Sequence, residues 1–325
     1  MSLADTYNRQ ISYLRLSVTD RCNLRCRYCV PQGQMTRLPG LPLLSFDNLF
    51  RVAQQSAKLG IRKIRITGGE PLVRPGIVSF LERMNGISGI GEVVLTTNGI
   101  LLAKMADSLR QVGVKRLNIS LDSLKPESFA EITGGGNLRR VLAGIDAAER
   151  SGFPTPQINV VVMRGVNDNE ILDFAGIATG RGLTVRFIEY MPTNGDSNWD
   201  SLYINSGEIL MRLASRYRLT PLPRIEGAGP ARYFQLDASQ ATVGVISPVS
   251  RHFCAGCNRI RISSDGMARG CLFSREATDL RPHLLQGDDA LQQILTTIIR
   301  EKPLRHNLSE GLQSSGFVSM SAIGG

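Results

Sequence analysis

All six cysteines of this 325-residue sequence fall in two tight groups of three. The groups are Cys22, Cys26 and Cys29, spaced C-x3-C-x2-C, and then Cys254, Cys257 and Cys271, spaced C-x2-C-x13-C. Three neighbouring thiolates suit a metal site, but a closed zinc or iron–sulfur site uses four ligands. Each group therefore predicts an open coordination position. Disulfides are disfavoured, since a chain of this length has enough core and we expect a reducing compartment.

Two other interpretations of the first group stay open on spacing. Positions i, i+4 and i+7 of a helix form one stripe, but the two Arg and one Asn between these cysteines make a poor core stripe. Zinc is the other alternative.

The segment between Cys257 and Cys271 alternates as a β-hairpin does. Asp265-Gly266 predicts a two-residue turn, which would place Cys271 opposite residues 258–260 and let the three thiols converge. A zinc site completed by His252 is the alternative for this group, although that spacing is unusual for zinc folds. We predict His283 and His306 to be surface or packing residues.

Arg259 and Arg261 share one face of the first strand of that hairpin. A solvated basic edge is the ordinary interpretation of such a pair. Beside an open metal site we favour a clamp for phosphate or purine, because Arg binds phosphate oxygens in bidentate fashion.

The charge of the chain follows the cysteines. The net charge is +10, and residues 1–35 hold five Arg against two Asp while residues 251–275 hold five Arg against one Asp. A positive balance predicts an anionic partner. No apolar run approaches the length of a membrane span and the first residues lack a secretory pattern, so we expect a cytoplasmic protein.

Residues up to about 190 alternate short β-branched runs with amphipathic helices. Strands are predicted at 11–17, 63–67, 92–96, 116–120, 157–163 and 184–189, and helices include 46–59, 101–112 and 138–151. Such βα units predict a parallel sheet, either open or curled into a barrel or partial barrel, and periodicity does not choose between them. Past residue 190 we predict helices at 206–217 and 288–301, with short strands in 233–249.

Polar and glycine-rich residues follow several of these strands, where parallel α/β folds gather their active sites. Gly68-Gly69-Glu70-Pro71 follows the second strand, and paired glycines let backbone approach a ligand closely. Thr96, Ser120 and Met191 occupy the ends of later strands.

With the aromatic Tyr28 before its last cysteine, the C-x3-C-x2-C group resembles the radical S-adenosylmethionine (SAM) superfamily. The resemblance implies an α/β fold, an incomplete TIM-like (β/α)6 barrel with a C-terminal extension carrying a second cluster. It also implies that the first cysteines hold a [4Fe-4S] cluster whose open iron binds SAM. The residues that match the SAM positions are Tyr28, Gly68, Gly69, Glu70, Ser120 and Met191.

The second cysteine group and the Asn-Arg-Ile-Arg after Cys257 narrow the resemblance to GTP 3',8-cyclases, over nearly the whole chain. That family uses the 5'-deoxyadenosyl radical to abstract the 3' hydrogen of GTP. The C3' radical attacks C8 and gives 3',8-cyclo-7,8-dihydro-GTP, the first step of molybdenum cofactor biosynthesis. The second [4Fe-4S] cluster holds the guanine, and Gly324 and Gly325 match a tail that enters the active site. The matching GTP positions are Arg15, Lys63, Arg65, Thr96, Arg259, Ile260 and Arg261.

One position departs from the family, because Gln157 stands where we expect a Lys. Loss of that cation would weaken phosphate attraction unless a neighbouring Arg compensates. Of the expected GTP positions, Arg15, Arg259 and Arg261, together with Gly324 and Gly325, are also expected to be catalytic.

The resemblance further implies an electron donor and a downstream cyclic pyranopterin monophosphate synthase, and it leaves a homodimer open. We expect neither a membrane nor a nucleic acid as partner. We predict domains at 1–222, the barrel, and 223–325, the second-cluster region. Two alternatives remain: a radical SAM enzyme acting on a peptide or RNA, and a non-enzymatic zinc protein that binds nucleic acid.

Overall fold

The computed structural model describes residues 3–30, 42–192, 198–223, 229–237, 241–274, 276–306 and 320. Within them, strands β1–β12 are Tyr13–Ser17, Lys63–Thr67, Glu92–Thr97, Arg116–Ser120, Gln157–Val162, Thr184–Glu189, Leu219–Pro221, Arg232–Leu236, Thr242–Ile246, Arg259–Ile262, Met267–Arg269 and Thr278–Asp279. Helices α1–α10 are Phe46–Lys58, Ile77–Asn85, Leu102–Gln111, Pro126–Thr133, Leu138–Arg150, Ile171–Arg181, Trp199–Leu202, Ser206–Ala214, Arg281–Gln286 and Asp288–Arg300.

The predicted strands and helices are confirmed with shifts of a few residues at their ends. The first strand begins at Tyr13 rather than residue 11, and the helix predicted at 206–217 ends at Ala214. Gly60, Gly113 and Gly152 follow α1, α3 and α5 with positive φ of 98°, 89° and 75°, which is why these helices stop at glycine.

The twelve strands form one sheet in the order β12-β11-β10-β1-β2-β3-β4-β5-β6-β9-β8-β7. The eight central strands, β10 and β1–β6 with β9, are parallel, and the outer pairs are antiparallel. The order runs from edge to edge without closing. The prediction of an incomplete α/β barrel is therefore confirmed.

The parallel strands carry two faces of opposite character. Ile64, Ile66 and Ile260 belong to the apolar core that packs under the helices. The alternate positions, such as Lys63, Arg65 and Arg259, line the inside of the curled sheet. Parallel strands are usually apolar on both faces. Here the alternation therefore marks an inner surface built for polar contacts.

Two strands of the C-terminal region extend the parallel sheet at its two sides. β10 pairs with β1, with Tyr13 opposite Arg259, and β9 pairs with β6. The predicted hairpin is present as β10 and β11, but the prediction of a two-residue turn is wrong. The Ser263 N–H donates to the Met267 carbonyl at 2.9 Å and the Met267 N–H donates to Ser263 Oγ at 3.0 Å, which closes a three-residue loop. Gly266 at φ 90° supplies the left-handed position that such loops use.

In the residues that the structure describes, every helix is too short or too polar to cross a lipid bilayer.

Candidate active site

A cavity of about 710 Å³ fills the inside of the curled sheet, and all six cysteines line it. None of the six forms a disulfide. The two groups, far apart in sequence, therefore face one cavity.

Strand direction places the cysteine groups at opposite ends of this cavity. Cys22, Cys26 and Cys29 follow the carboxyl end of β1. Cys254 and Cys257 precede β10, which runs parallel to β1, so they lie at the amino end of the strands. Cys271 follows β11, which runs antiparallel to β10 and returns to that same end.

The first group lies in a tight turn that is held by backbone bonds. The Cys29 N–H donates to the Cys26 carbonyl at 2.8 Å, and the Arg25 and Arg27 N–H groups each donate at 2.9 Å to the end of α4, at Thr133 and Ile132. The loop is thus fastened to a helix of the barrel.

Gly68 and Gly69 lie directly against the segment that leads into the first cysteine. The Gly69 N–H donates to the Thr19 carbonyl at 2.7 Å. A Cβ added at Gly69 would lie 2.4 Å from the Arg21 carbonyl oxygen, and one at Gly68 would lie 2.6 Å from that of Thr19. The close backbone approach predicted for these glycines therefore exists, and its partner within the chain is the cysteine loop.

Tyr28 connects the first cysteine loop to the barrel. Its hydroxyl donates to Asp122 Oδ2 at 2.8 Å, and the Val161 N–H donates to Asp122 Oδ1 at 2.8 Å. Burial raises the pKa of Asp122 to about 6, against the lowering effect of these two hydrogen bonds. Asp122 is therefore a positioning residue for Tyr28, just after the end of β4.

Glu70, predicted to contact SAM, turns its carboxylate into the protein. It accepts from Thr97 Oγ1 at 2.8 Å, from the Asn98 N–H at 2.6 Å and from the Leu72 N–H at 3.0 Å. Burial raises its pKa to about 7. Glu70 is not among the residues lining the cavity, so its expected contact with SAM stays a prediction.

Arg259 lies beside the thiol of Cys257 in the second group. Its Nη2 donates to Cys257 Sγ at 3.7 Å, and its guanidinium lies over the Phe253 ring, 4.9 Å from the centroid. Burial raises the pKa of Cys257, but the charges of Arg259 and Lys302 and the hydrogen bonds from Arg259 outweigh burial and lower the pKa to about 6.

Arg9, buried near the amino terminus, joins Asp5 and residues 303–304 to the second group. It pairs with Asp5 and donates to the carbonyls of Cys254 at 2.9 Å, Pro303 at 2.7 Å and Leu304 at 3.0 Å. The neighbouring Lys302 donates from Nζ to the Gly270 carbonyl, next to Cys271. These contacts hold the loops that carry the second cysteines, and no local sequence pattern predicts them.

The two histidines near the second group contact each other. The rings of His252 and His306 lie 4.4 Å apart, and both hydrogen-bond to the Pro248 carbonyl at 3.1 Å. His306, predicted to be a surface or packing residue, packs here and also lines the cavity.

Between the two ends the cavity is lined by cations. The predicted members of this set are Arg15, Lys63, Arg65, Arg259 and Arg261, and the sequence analysis missed Arg116, Arg186 and Lys302. Burial lowers the pKa of Arg186 to about 10 and does the same for Arg261, which repulsion from Arg259 also lowers. Arg186 and Arg116 could have been found from their alternation with apolar residues in β6 and β4.

Several buried polar atoms of this cavity lack a hydrogen bond within the described ranges. They include Tyr13 Oη, Arg65 Nε and Thr96 Oγ1. Buried polar atoms are rarely left unpaired, and the exceptions often mark a ligand site. The unpaired atoms and the cations together indicate a site for an extended polyanion.

The other predicted residues divide into three sets. Thr96, Ser120, Met191, Gly68, Gly69, Tyr28 and Gln157 line the cavity. Ile260 is 1% exposed and its side chain packs in the core on the opposite face. Gly324 and Gly325 lie outside the described residues, although Met320, five residues before the last residue, lines the cavity.

Comparison with known proteins agrees with this arrangement. The sequence model of the Radical SAM superfamily matches residues 16–177, and that of Molybdenum Cofactor Synthesis C matches residues 183–308. A GTP 3',8-cyclase of Geobacter sulfurreducens is 53% identical over 326 residues, covering 100% of both chains. The chain belongs to the GTP 3',8-cyclase family. A GTP 3',8-cyclase of Heliobacterium modesticaldum, a further relative in that family, is 43% identical, covering 99% of this chain and 100% of its own.

The fold of this chain is also similar to that of a solved structure. The crystal structure of Streptococcus suis SuiB bound to the precursor peptide SuiA superposes with a TM-score of 0.63 at 15% identity, covering 92% of this chain and 67% of that one. At this identity the likeness shows the fold alone.

Family membership brings SAM and two [4Fe-4S] clusters as cofactors, and the donor sets fit them. Each end of the cavity offers three thiols and leaves one iron of a four-iron cluster without a protein ligand. The described residues contain no three His, Cys, Asp or Glu arranged around a single metal ion. A cluster differs from such a site because each cysteine binds a different iron.

Proposed function

We propose that this chain is a radical SAM GTP 3',8-cyclase, a lyase that converts GTP to 3',8-cyclo-7,8-dihydro-GTP in molybdenum cofactor biosynthesis. The observation that carries the proposal is one cavity with an incomplete thiol set at each end and a lining of cations between them. A nucleoside triphosphate matches this arrangement, because its anionic chain suits the cations and its base suits an open iron.

SAM is proposed to bind at the first cysteine group. Tyr28, Gly68, Gly69, Ser120 and Met191 line that part of the cavity. Glu70 contributes to the SAM end of the cavity indirectly, because its carboxylate accepts hydrogen bonds from Thr97 and Asn98 and so holds the loop after β3.

GTP is proposed to lie between the two ends, with its base toward the second cysteine group. Arg15, Lys63, Arg65, Thr96, Arg259 and Arg261 are the proposed contacts. Ile260 offers only its backbone, because its side chain lies in the core. At the position where a Lys is expected, Gln157 lines the same cavity and offers a neutral hydrogen bond.

When bound, the first cluster and SAM supply the radical that removes the 3' hydrogen, and the second cluster supplies an open iron for guanine. The protein side chains bind and orient the nucleotide. The cations that line the cavity neutralise the phosphates of the nucleotide. Arg259 and Arg261, both on β10, hold the nucleotide beside the second cysteine group.

The decisive experiment is turnover under anaerobic conditions. Protein supplied with reductant, SAM and GTP is expected to release 5'-deoxyadenosine in step with a cyclised nucleotide, and to contain eight irons per chain, the content of two [4Fe-4S] clusters. Deoxyadenosine formed only with a peptide or RNA would overturn the substrate assignment. Bound zinc in a colourless protein would support the non-enzymatic alternative.

Serine variants separate the two sites. C26S is expected to lose SAM cleavage and about half of the iron. C257S is expected to lose the other half, and with it GTP cyclisation, while uncoupled SAM cleavage persists.

Some expectations remain predictions alongside this proposal. They are the electron donor, the downstream synthase, the homodimer, the cytoplasmic location, the catalytic part of Gly324 and Gly325, and the division into domains 1–222 and 223–325.

A further inference from the structure

Glu92 places a carboxylate among the cations that line the cavity. Lys63 Nζ lies 2.9 Å from Glu92 Oε2, and Arg116 Nη2 donates to the same oxygen at 2.7 Å while Arg116 Nε donates to Oε1. Both carboxylate oxygens are therefore engaged by cations that line the cavity.

Glu92 differs from the other acidic residues that line this cavity. Asp122 accepts from Tyr28 and the Val161 N–H. Glu189 accepts from Ser206, Val249 and Ser250. Asp20 lies in the loop before Cys22, at the end of the cavity opposite the second cysteine group. In the described part of the chain, Glu92 is the lining carboxylate that forms an ion pair with the lumen cations.

Lys63 also lies close to a further cation of the cavity. Lys63 lies 5.2 Å from the centroid of the Tyr13 ring and Arg65 lies 5.7 Å from it, so both cations contact the same aromatic ring. The strand register places Tyr13 opposite Arg259 and Lys63 on its two sides. A phosphate that reached Arg65 or Arg259 would therefore come within reach of the Glu92 ion pairs.

We propose that Glu92 is an internal counter-ion that competes with the phosphates of the nucleotide for Lys63 and Arg116. When no nucleotide is bound, the Glu92 carboxylate neutralises these two cations and lowers the repulsion among the cations that line the cavity. A polyphosphate must take Lys63 and Arg116 from it. This inference rests on the proposed function, and it names the residue that makes occupancy depend on the charge of the ligand.

The competition has a direction that a purely structural role lacks. Removing a negative charge from a cationic cavity strengthens anion binding, because the ligand no longer displaces a bound carboxylate or meets its repulsion. If Glu92 served only to hold Lys63 and Arg116 in place, its loss would weaken binding instead. A ligand of low charge gains less from the substitution than one of high charge.

The test measures binding of inorganic tripolyphosphate, GTP and GMP to the cluster-loaded protein by calorimetry at low and moderate salt. E92Q is expected to bind tripolyphosphate and GTP about tenfold more tightly at low salt, with a smaller gain for GMP and a smaller gain at higher salt. E92D keeps the charge and is expected to bind as the unsubstituted protein does. Equal or weaker tripolyphosphate binding by E92Q would overturn the proposal.

A matched control lies on the surface. Glu208 also pairs with two arginines, Arg164 and Arg212, outside the cavity, so E208Q is expected to leave all three affinities unchanged. If E92Q folds poorly, its thermal midpoint is followed as tripolyphosphate is added. A larger rise than in the unsubstituted protein supports the competition, and an equal or smaller rise contradicts it. Tripolyphosphate carries no base, so its binding tests the role of Glu92 even if the protein does not cyclise GTP.

Discussion

The Tyr28 hydroxyl donates a 2.8 Å hydrogen bond to Asp122, a residue 94 positions later in the chain. Through this bond the loop of the first cysteines is fixed to the strand end at Ser120 and, through Asp122, to the backbone of β5 at Val161. The first cysteine loop is therefore held by the barrel, and its geometry depends on side chains outside the cysteine motif.

Removing this bond is expected to loosen the loop. Tyr28→Phe leaves the buried Asp122 carboxylate without one donor, which should lower the free energy of unfolding by about 1–3 kcal/mol. The iron of the first cluster should also be lost faster to a chelator. Denaturant unfolding and the rate of iron release test both effects. Tyr7→Phe, at a tyrosine that is 48% exposed, is the control and should change neither.

Gly69→Ala is expected to abolish the first cluster. The new Cβ would lie 2.4 Å from the Arg21 carbonyl oxygen, a separation that backbone must move to relieve. Iron and sulfide analysis should show about half of the normal content in a protein that keeps the second cluster. The matched substitution Gly176→Ala, in α6 with open space around it, should be neutral or stabilising by up to about 1 kcal/mol. Full iron in Gly69→Ala would refute the packing argument.

Arg9→Ala is expected to affect the second cluster more than the first. It leaves buried Asp5 unpaired and frees the carbonyls of Cys254, Pro303 and Leu304, at a cost of about 3–5 kcal/mol. Iron analysis in Cys26→Ser and Cys257→Ser backgrounds separates the two clusters. Arg83→Ala, which breaks an exposed pair with Asp47, should cost less than about 1 kcal/mol. Equal loss of both clusters in Arg9→Ala would contradict the prediction.

Gln157→Lys is expected to tighten GTP binding. Gln157 lines the cavity opposite Asn118 and Thr184, and a lysine there adds a charge that can reach the lumen. A gain of about tenfold in affinity at low salt is expected, falling as salt screens the charge. Gln157→Met, uncharged and of similar length, is the control. An unchanged affinity in the lysine variant would show that the existing arginines already suffice.

The pH dependence of stability should carry a contribution from Glu92. Burial raises its pKa, but the hydrogen bonds from Arg116 and Lys63 outweigh burial and lower the pKa to about 2, below its usual value of 4.5. A lowered folded-state pKa gives stability that is complete above about pH 4.5 and is lost as pH falls toward 2. The difference in unfolding free energy between the unsubstituted protein and Glu92→Gln should therefore shrink over that interval. A difference independent of pH would contradict the ion pairing.

Local patterns predicted the six βα units, because strands and helices have different hydrophobic periods and helices α1, α3 and α5 end at glycine. They did not predict that β9 and β10 extend the parallel sheet, since alternation identifies a strand without naming its neighbour. The polar inner face of the sheet could be predicted from charges at every second position, at Lys63 and Arg65 and again at Arg259 and Arg261.

The cysteines and most cavity residues could be found because their chemistry is concentrated in short motifs. Arg9 and Glu92 could not be found in this way. Each acts through partners that are distant in sequence, and an isolated Arg or Glu resembles any surface charge until the fold brings its partners together.

The pairing of β1 with β10 has a consequence for synthesis on the ribosome. The residues that pair there, such as Tyr13 and Arg259, are far apart in sequence, so one edge of β1 stays unpaired until most of the chain has emerged. An unpaired strand edge invites wrong pairing, and contacts of such long range form slowly. The first cysteine loop can therefore be assembled early, whereas a chain stopped before residue 254 would present an open, aggregation-prone edge and no second cluster site. Synthesis of β10 and its neighbouring cysteines therefore both covers the open edge of β1 and supplies the second cluster site.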